Sequence, residues 1–214
     1  MAELQVLEVV PGEKRRVKIR FDNGEECTLY RSEIRGLSVC EGALLLEEGA
    51  YIPEELYQKV LQRVLAPRAK KRAMHLLEQM DRTERQLYEK LKQNGYPESC
   101  IAAAVDYVKQ YHYIDDLRYA RTYIRYRQQK RSRQRLKQDL MRKGVDGPTI
   151  EQALSEEYES DERAMIRELL EKKRYDPSGA DEREKRRVCQ FLLRRGYRTG
   201  DVLAVMQMAA DGEF

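Results

Sequence analysis

Eleven basic side chains and a single acid, Asp139, fall between positions 118 and 143. The basic residues are Arg118, Arg121, Arg125, Arg127, Lys130, Arg131, Arg133, Arg135, Lys137, Arg142 and Lys143. Solvated helix faces normally mix both signs, and this stretch does not. A block of that density is the electrostatic footprint of a protein that meets polyphosphate or an acidic protein surface. The net charge of +4 hides the segregation. Residues 1–65 carry 9 basic and 12 acidic groups, residues 66–150 carry 20 and 10, and residues 151–214 carry 12 and 15. Tyr119, Tyr123 and Tyr126 interleave with the arginines at i, i+4 and i+7. Tyrosines so placed can stack unpaired bases, or they can form the core face of a helix with Ala120 and Ile124. The core reading is favoured for Tyr123, whereas Tyr119 and Tyr126 suit either.

Signs of catalysis are absent from the sequence. The two histidines, His75 and His112, stand far apart and outside any motif. There is no phosphate loop of the GxxxxGK[ST] kind and no GxGxxG turn. Asp115-Asp116 reads as a helix start, with Asp115 capping and Asp116 facing the positive end of the dipole, rather than as a metal site. Glu47-Glu48 and Glu156-Glu157 look like exposed charge. Cys27, Cys40, Cys100 and Cys189 are scattered and read as buried, reduced thiols. The expectation is a protein without metal, cofactor or enzymatic activity. No apolar run approaches a membrane span and no secretory signal opens the chain, so a cytoplasmic protein is expected.

The elements that carry these residues follow a ruler. Leu87, Leu91, Gly95 and Ile101 are spaced four, four and six apart, and so are Leu136, Leu140, Gly144 and Ile150, and Val188, Leu192, Gly196 and Val202. Residues four apart share one helix face, and a glycine just past the last turn stops a helix in the left-handed conformation. Pro97 and Pro148 suit first helical positions, and Thr199 suits a cap. Thr83 followed by Gln86 is a capping box. Another amphipathic stretch precedes each pair, at Ala73 and Leu77, Ala120 and Ile124, and Ile166 and Leu170. The unit is three helices, and a period of this size indicates a stacked helical array. The third copy departs from the pattern with a loop at Tyr175-Asp176-Pro177-Ser178-Gly179.

Residues 1–50 read as a small β-rich module. Val17, Ile19 and Phe21 alternate with charged neighbours, and Asp22-Asn23-Gly24 signals a hairpin. Pro53 opens a helix bearing Leu56, Val60, Leu61 and Val64, expected to run to Pro67. The predicted fold is mainly α: three tandem three-helix repeats in an elongated curved array, behind a small N-terminal β-rich module. The expected boundaries are 1–50 for the module, 51–67 for a linker helix, and 68–113, 114–158 and 159–214 for the repeats.

At Tyr113-Ile114-Asp115-Asp116-Leu117-Arg118-Tyr119-Ala120 the chain resembles the RecX family of recombination regulators, whose most recognisable string is Asp-Asp, any residue, Arg-Tyr-Ala. Ser132 to Gly144, with Arg135-Leu136, Leu140 and Lys143-Gly144-Val145, resembles that family's next helix. Thr83 to Leu87, with Leu91 and Gly95, resembles the one before. The resemblance covers residues 70 to about 155 well and is weaker over the third repeat. It implies a non-enzymatic modulator that lies in the groove of the RecA–single-stranded DNA filament. Such a modulator usually inhibits ATP hydrolysis, strand exchange and co-protease activity, in recombination, DNA repair and the SOS response. The eleven basic residues and Tyr119 are then the candidate RecA- or DNA-binding residues, and charge reversal at Arg125 with Arg133 is expected to abolish filament inhibition without unfolding the protein. Two rival readings need no recombinase: a general single-strand or duplex DNA-binding protein, and a helical scaffold whose basic face meets an acidic protein.

Overall fold

The structure, a computed structural model, describes residues 3–35 and 47–210, with side chains described as far as residue 207. Cys40 and residues 211–214 lie outside the described residues. Two compact units divide the chain, Met1–Asp115 and Asp116–Phe214.

The first unit opens with an antiparallel sheet in the order β3-β2-β1-β4. Its strands are β1 (Glu3–Pro11), β2 (Arg16–Phe21), β3 (Glu26–Tyr30) and β4 (Tyr51–Pro53). Along β2 the alternation is complete, with Val17, Ile19 and Phe21 buried and Arg16, Lys18 and Arg20 exposed. Val9 of β1 faces Ile19 and Cys27 of β3 faces the same residue from the other side. Asp22, Asn23, Gly24 and Glu25 close the β2–β3 hairpin, with Gly24 at φ +82° as that turn requires.

Pro53 starts a helix, as the sequence suggests, but Pro67 does not end it. Helix α1 (Glu54–Val60) passes through a π-turn at Leu61–Leu65 into α2 (Ala66–Gln79). In a regular helix the Pro67 ring would press on the carbonyl of Arg63, four residues back. The wider turn, in which Ala66 N–H bonds the Leu61 carbonyl, makes room for it. The expected linker helix and the first helix of repeat one are thus one rod, and the sheet packs on it. Phe21, Cys27, Leu29, Tyr57, Leu65, Leu87, Leu91 and Ile101 belong to a single core.

Repeat one continues with α3 (Glu84–Gln93) and α4 (Glu98–Gln110). Repeat two is α5 (Asp116–Arg127), α6 (Arg133–Arg142) and α7 (Gly147–Glu157). Repeat three is α8 (Glu162–Lys172), α9 (Glu182–Arg194) and α10 (Thr199–Ala210). The helix starts are written locally. Thr83 makes the capping box with Gln86, and Ser132, Asp146, Asp161 and Asp181 each accept a first-turn N–H. Pro97 sits one residue earlier than the sequence suggests, at the N-cap, and Thr199 one later, inside the helix.

The three ruler glycines all take the left-handed conformation, at φ +78° (Gly95), +91° (Gly144) and +87° (Gly196). After each, the next residue donates its N–H back to the ruler leucine: Tyr96 to Leu91, Val145 to Leu140, Tyr197 to Leu192. This is the closure that satisfies otherwise orphaned carbonyls. An alanine at Gly144 is expected to cost about 1–2 kcal/mol, the usual penalty for a Cβ in this conformation. An alanine at Gly196 should cost more, because its Cβ would also lie 2.7 Å from Ser132 Oγ and 3.2 Å from the Arg135 nitrogen. Urea unfolding of both variants beside the parent checks the order.

Candidate nucleic-acid interface

Helix α5 is amphipathic, and its tyrosines do three different things. Tyr123 is 9% exposed and joins Ala120 and Ile124 in the core of repeat two. Tyr119 is half-buried and stacks on it, centroids 6.4 Å apart and planes 18° off parallel. Tyr126 stands in solvent at 79% exposure. Of the three, Tyr126 presents the most ring to a ligand.

The basic block is divided rather than continuous. On one side, α7 supplies a row of carboxylates. Arg125 forms a two-bond pair with Glu157 at 2.8 and 2.9 Å. Arg121 pairs with Glu156. Arg133, at 3.2 Å, and Lys137, at 2.5 Å, share Glu151. The bond from Arg125 holds the Glu157 carboxyl below the usual range, and the bond from Lys137 does so for Glu151. Glu156 and Glu157 are therefore the counter-charge of α5, not idle surface. Reversing Arg125 and Arg133 would set new acids against Glu157 and Glu151. That pair of substitutions would test packing of α7 as much as binding.

Asp139, the lone acid of the block, is 5% exposed and sits under three guanidinium groups. Arg131 and Arg142 pair with its two oxygens, and Arg135 Nε lies 3.6 Å from Oδ1. The Tyr123 hydroxyl is 3.4 Å from Oδ2. Burial pushes the Asp139 carboxyl up, and the Arg142, Arg131 and Arg135 charges more than offset it, so it titrates below the usual aspartate range. Arg127 lies over the Tyr123 ring at 4.2 Å, and Lys143 over the same ring at 5.4 Å.

The other side of the block faces repeat three. Lys130, Arg131 and Arg135 line a cleft of about 610 Å³ together with Arg194, Arg195, Phe191 and Tyr197. The lining holds five cations and no carboxylate. Arg195 and Lys173 both lie over the Phe191 ring, at 4.5 and 4.1 Å. The cleft exists because the start of α6 docks on the end of α9. Buried Ser132 donates its hydroxyl to the Arg195 carbonyl at 2.8 Å while accepting from the Arg135 N–H at 3.2 Å. Glu162 of α8 accepts the Arg133 N–H at 2.6 Å and the Tyr158 hydroxyl at 3.0 Å. Concentrated positive charge with an aromatic wall suits a phosphate backbone. Arg194, Arg195 and Phe191 escape a reading of the sequence, because they lie some 50 residues beyond the block in a segment of net negative charge. The arginine pair before the third ruler glycine is their only local signal.

Comparison with known proteins gives the family. The models of the first, second and third three-helix domains of RecX match residues 69–107, 115–154 and 160–206. The chain belongs to the RecX family. It is 32% identical to Regulatory protein RecX of Caldanaerobacter subterraneus over 154 residues, 71% of this chain and 76% of that one. The same protein of Vibrio campbellii is 34% identical over 143 residues, covering 66% and 90%. That of Clostridium acetobutylicum is 26% identical over 209 residues, covering 94% and 93%. A crystal structure of regulatory protein RecX superposes with a TM-score of 0.58 over 97% of this chain and 99% of that one, at 20% identity. RecX from Lactobacillus salivarius gives 0.56 over 68% and 96%, also at 20% identity. All three ruler copies of this RecX chain lie within the matched domains. Among the described residues, no group of His, Cys, Asp or Glu could hold a metal ion and no helix could cross a membrane.

Asp139→Asn is expected to lower stability by about 2 kcal/mol at neutral pH, the scale of hydrogen bonds to charged groups. Because the folded state depresses the Asp139 pKa, its contribution is complete above the ordinary aspartate range. It fades as pH falls through the lower folded value. The gap between parent and variant should stay constant at neutral and mildly acid pH and close only on stronger acidification. Thermal melts across that range check the sign.

Proposed function

We propose that this RecX chain is a non-enzymatic regulator that binds the RecA–single-stranded DNA filament and lowers its ATPase, strand-exchange and co-protease activities in recombination and repair. Membership of a family of regulatory proteins carries the reading, since fold alone would not. The acid-free cleft of Lys130, Arg131, Arg135, Arg194 and Arg195 supplies a surface for it, with phosphates or acidic recombinase loops as its counterpart. Tyr126 and the exposed Arg118 on α5 extend the same chemistry. Of the basic residues on α5 and α6, Arg121, Arg125, Arg133, Lys137 and Arg142 serve first as intramolecular partners, and their role toward a ligand is secondary, whereas Arg135, like Arg131 just before α6, is shared between Asp139 and the cleft. A chain of these repeats offers many modest contacts, whose linkage raises avidity.

The deciding experiment is ATP hydrolysis by a preformed RecA–single-stranded DNA filament, titrated with this protein at a salt concentration where it no longer binds naked strands. Hydrolysis should fall at sub-stoichiometric protein. Reversal of Lys130 and Arg194 to Glu should weaken inhibition about tenfold or more, given the weight of phosphate contacts, without lowering the melting temperature. Unchanged hydrolysis, with binding to naked strands at low salt, would leave a general nucleic-acid binder. A second expectation concerns α7. Neutralising Glu156 and Glu157 to Gln releases Arg121 and Arg125, and should steepen the log–log salt dependence of strand binding by up to about 1.4, two phosphates' worth.

A further inference from the structure

The N-terminal unit carries a cationic face of its own, made by residues outside the block at 118–143. Helix α2 reads Arg68-Ala69-Lys70-Lys71-Arg72 near its start. Ala69 and Ala73 are buried on one side, which turns Arg68, Lys71, Arg72 and His75 together toward a cleft of about 510 Å³ walled by Tyr30 and Tyr96. Met74 and one acid, Glu78, complete the lining, and Glu78 lies 3.8 Å from the His75 ring.

Arg68 is held rigidly at the centre. It pairs with Glu33 at 2.5 Å and bonds the Thr28 carbonyl. Its guanidinium lies 5.1 Å from the Tyr30 ring centre and 5.3 Å from that of Tyr96. Arg16, at the start of β2, adds a further cation over Tyr30 at 5.7 Å. A planar guanidinium stacked with tyrosines is a preformed platform for a flat, unpaired base. Lys71 and Arg72 differ from the arginines of α5. Among the described residues neither has an ion-pair or hydrogen-bond partner. Among the described residues their charge is unpaired, one turn from the platform.

We propose that this face of α2, with Tyr30 and Tyr96, is a second binding surface for single-stranded nucleic acid, located on the N-terminal unit. Lys71 and Arg72 take backbone phosphates, and the Arg68–tyrosine stack takes a base. An acidic peptide would use the cations and leave the aromatic platform idle, which is why a strand fits better. The surface does not depend on the recombinase, so a naked strand tests it independently of the filament reading.

The test is fluorescence anisotropy of a labelled oligo-dT with the full chain, repeated across salt concentrations. Lys71→Ala with Arg72→Ala should weaken binding about tenfold at low salt and shallow the log–log salt slope by about 1.4. Removing the same charge elsewhere on this unit, with Arg63→Ala and Arg85→Ala, should leave the slope near that of the parent. Because Lys71 and Arg72 hold no other described residue in place, the melting temperature should not move. Equal slopes for the two double variants, or no strand binding by the parent at low salt, would overturn the proposal. So would unchanged strand binding joined to lost binding of poly-glutamate, which would assign the face to an acidic protein.

Discussion

Where a Cβ would stand on two of the ruler glycines, the structure has a hydroxyl from a different element. Gly95 faces Thr28 of β3, whose Oγ1 would collide with such a carbon, and Gly196 faces Ser132 at the start of α6. Each glycine therefore serves twice. It ends its own helix in the left-handed conformation, and it lets a neighbouring module approach to backbone distance. The first contact seats the sheet on repeat one and the second seats repeat three on repeat two. Ser132 answers the same dual demand, capping α6 while bonding the Arg195 carbonyl. The cationic cleft is a consequence of this seating, since Arg194 and Arg195 reach Lys130 and Arg131 only when α9 ends there.

Charge in the second unit is organised by what opposes it. One helix, α7, carries the acids that neutralise the side of the basic block turned toward it, and Asp139 gathers three more arginines from within. Ion pairs of this exposed kind add little stability individually. Their larger effect is to decide where positive potential survives. It survives over the α6–α9 cleft, where Asp139 offsets Arg131 and Arg135 but Lys130, Arg194 and Arg195 stand in a lining without an acid. A block that reads as one continuous stripe along the chain is, in space, a neutralised face and a charged one.

The first unit follows the same logic by a different route. Its continuous helix from Glu54 to Gln79 carries a π-turn that admits Pro67, so the rod serves the sheet and the first repeat at once. Tyr57 illustrates the join. Its ring packs on Phe21 at 4.8 Å, and its hydroxyl donates to Glu25 of the hairpin at 2.6 Å. A β-module too small to bury a core alone shares one with helices.

Much of this was legible residue by residue. The ruler located the second and third helices of each repeat because helix periodicity and the glycine stop are local properties of the chain. The β2–β3 hairpin was legible from strict alternation, and the core place of Tyr123 from its helical company. Cys27 and Cys100 are buried as their type suggests, while Cys189 is only partly so. The family string at Asp115–Ala120 was local too. Other features depend on residues far apart in sequence and have no local signature. The sequence counted the cations but could not assign them, because whether an arginine faces Glu157 or a cleft depends on how α5, α7 and α9 pack. Helix continuity through Pro67 depended on a turn type that composition does not encode. The seating of sheet and repeats depended on hydroxyls meeting glycines 67 and 64 positions away, Thr28 with Gly95 and Ser132 with Gly196. Local backbone preference wrote the helices into the sequence; only three-dimensional packing, which sets one element's charge and shape against another's, decided where a ligand could find unopposed charge.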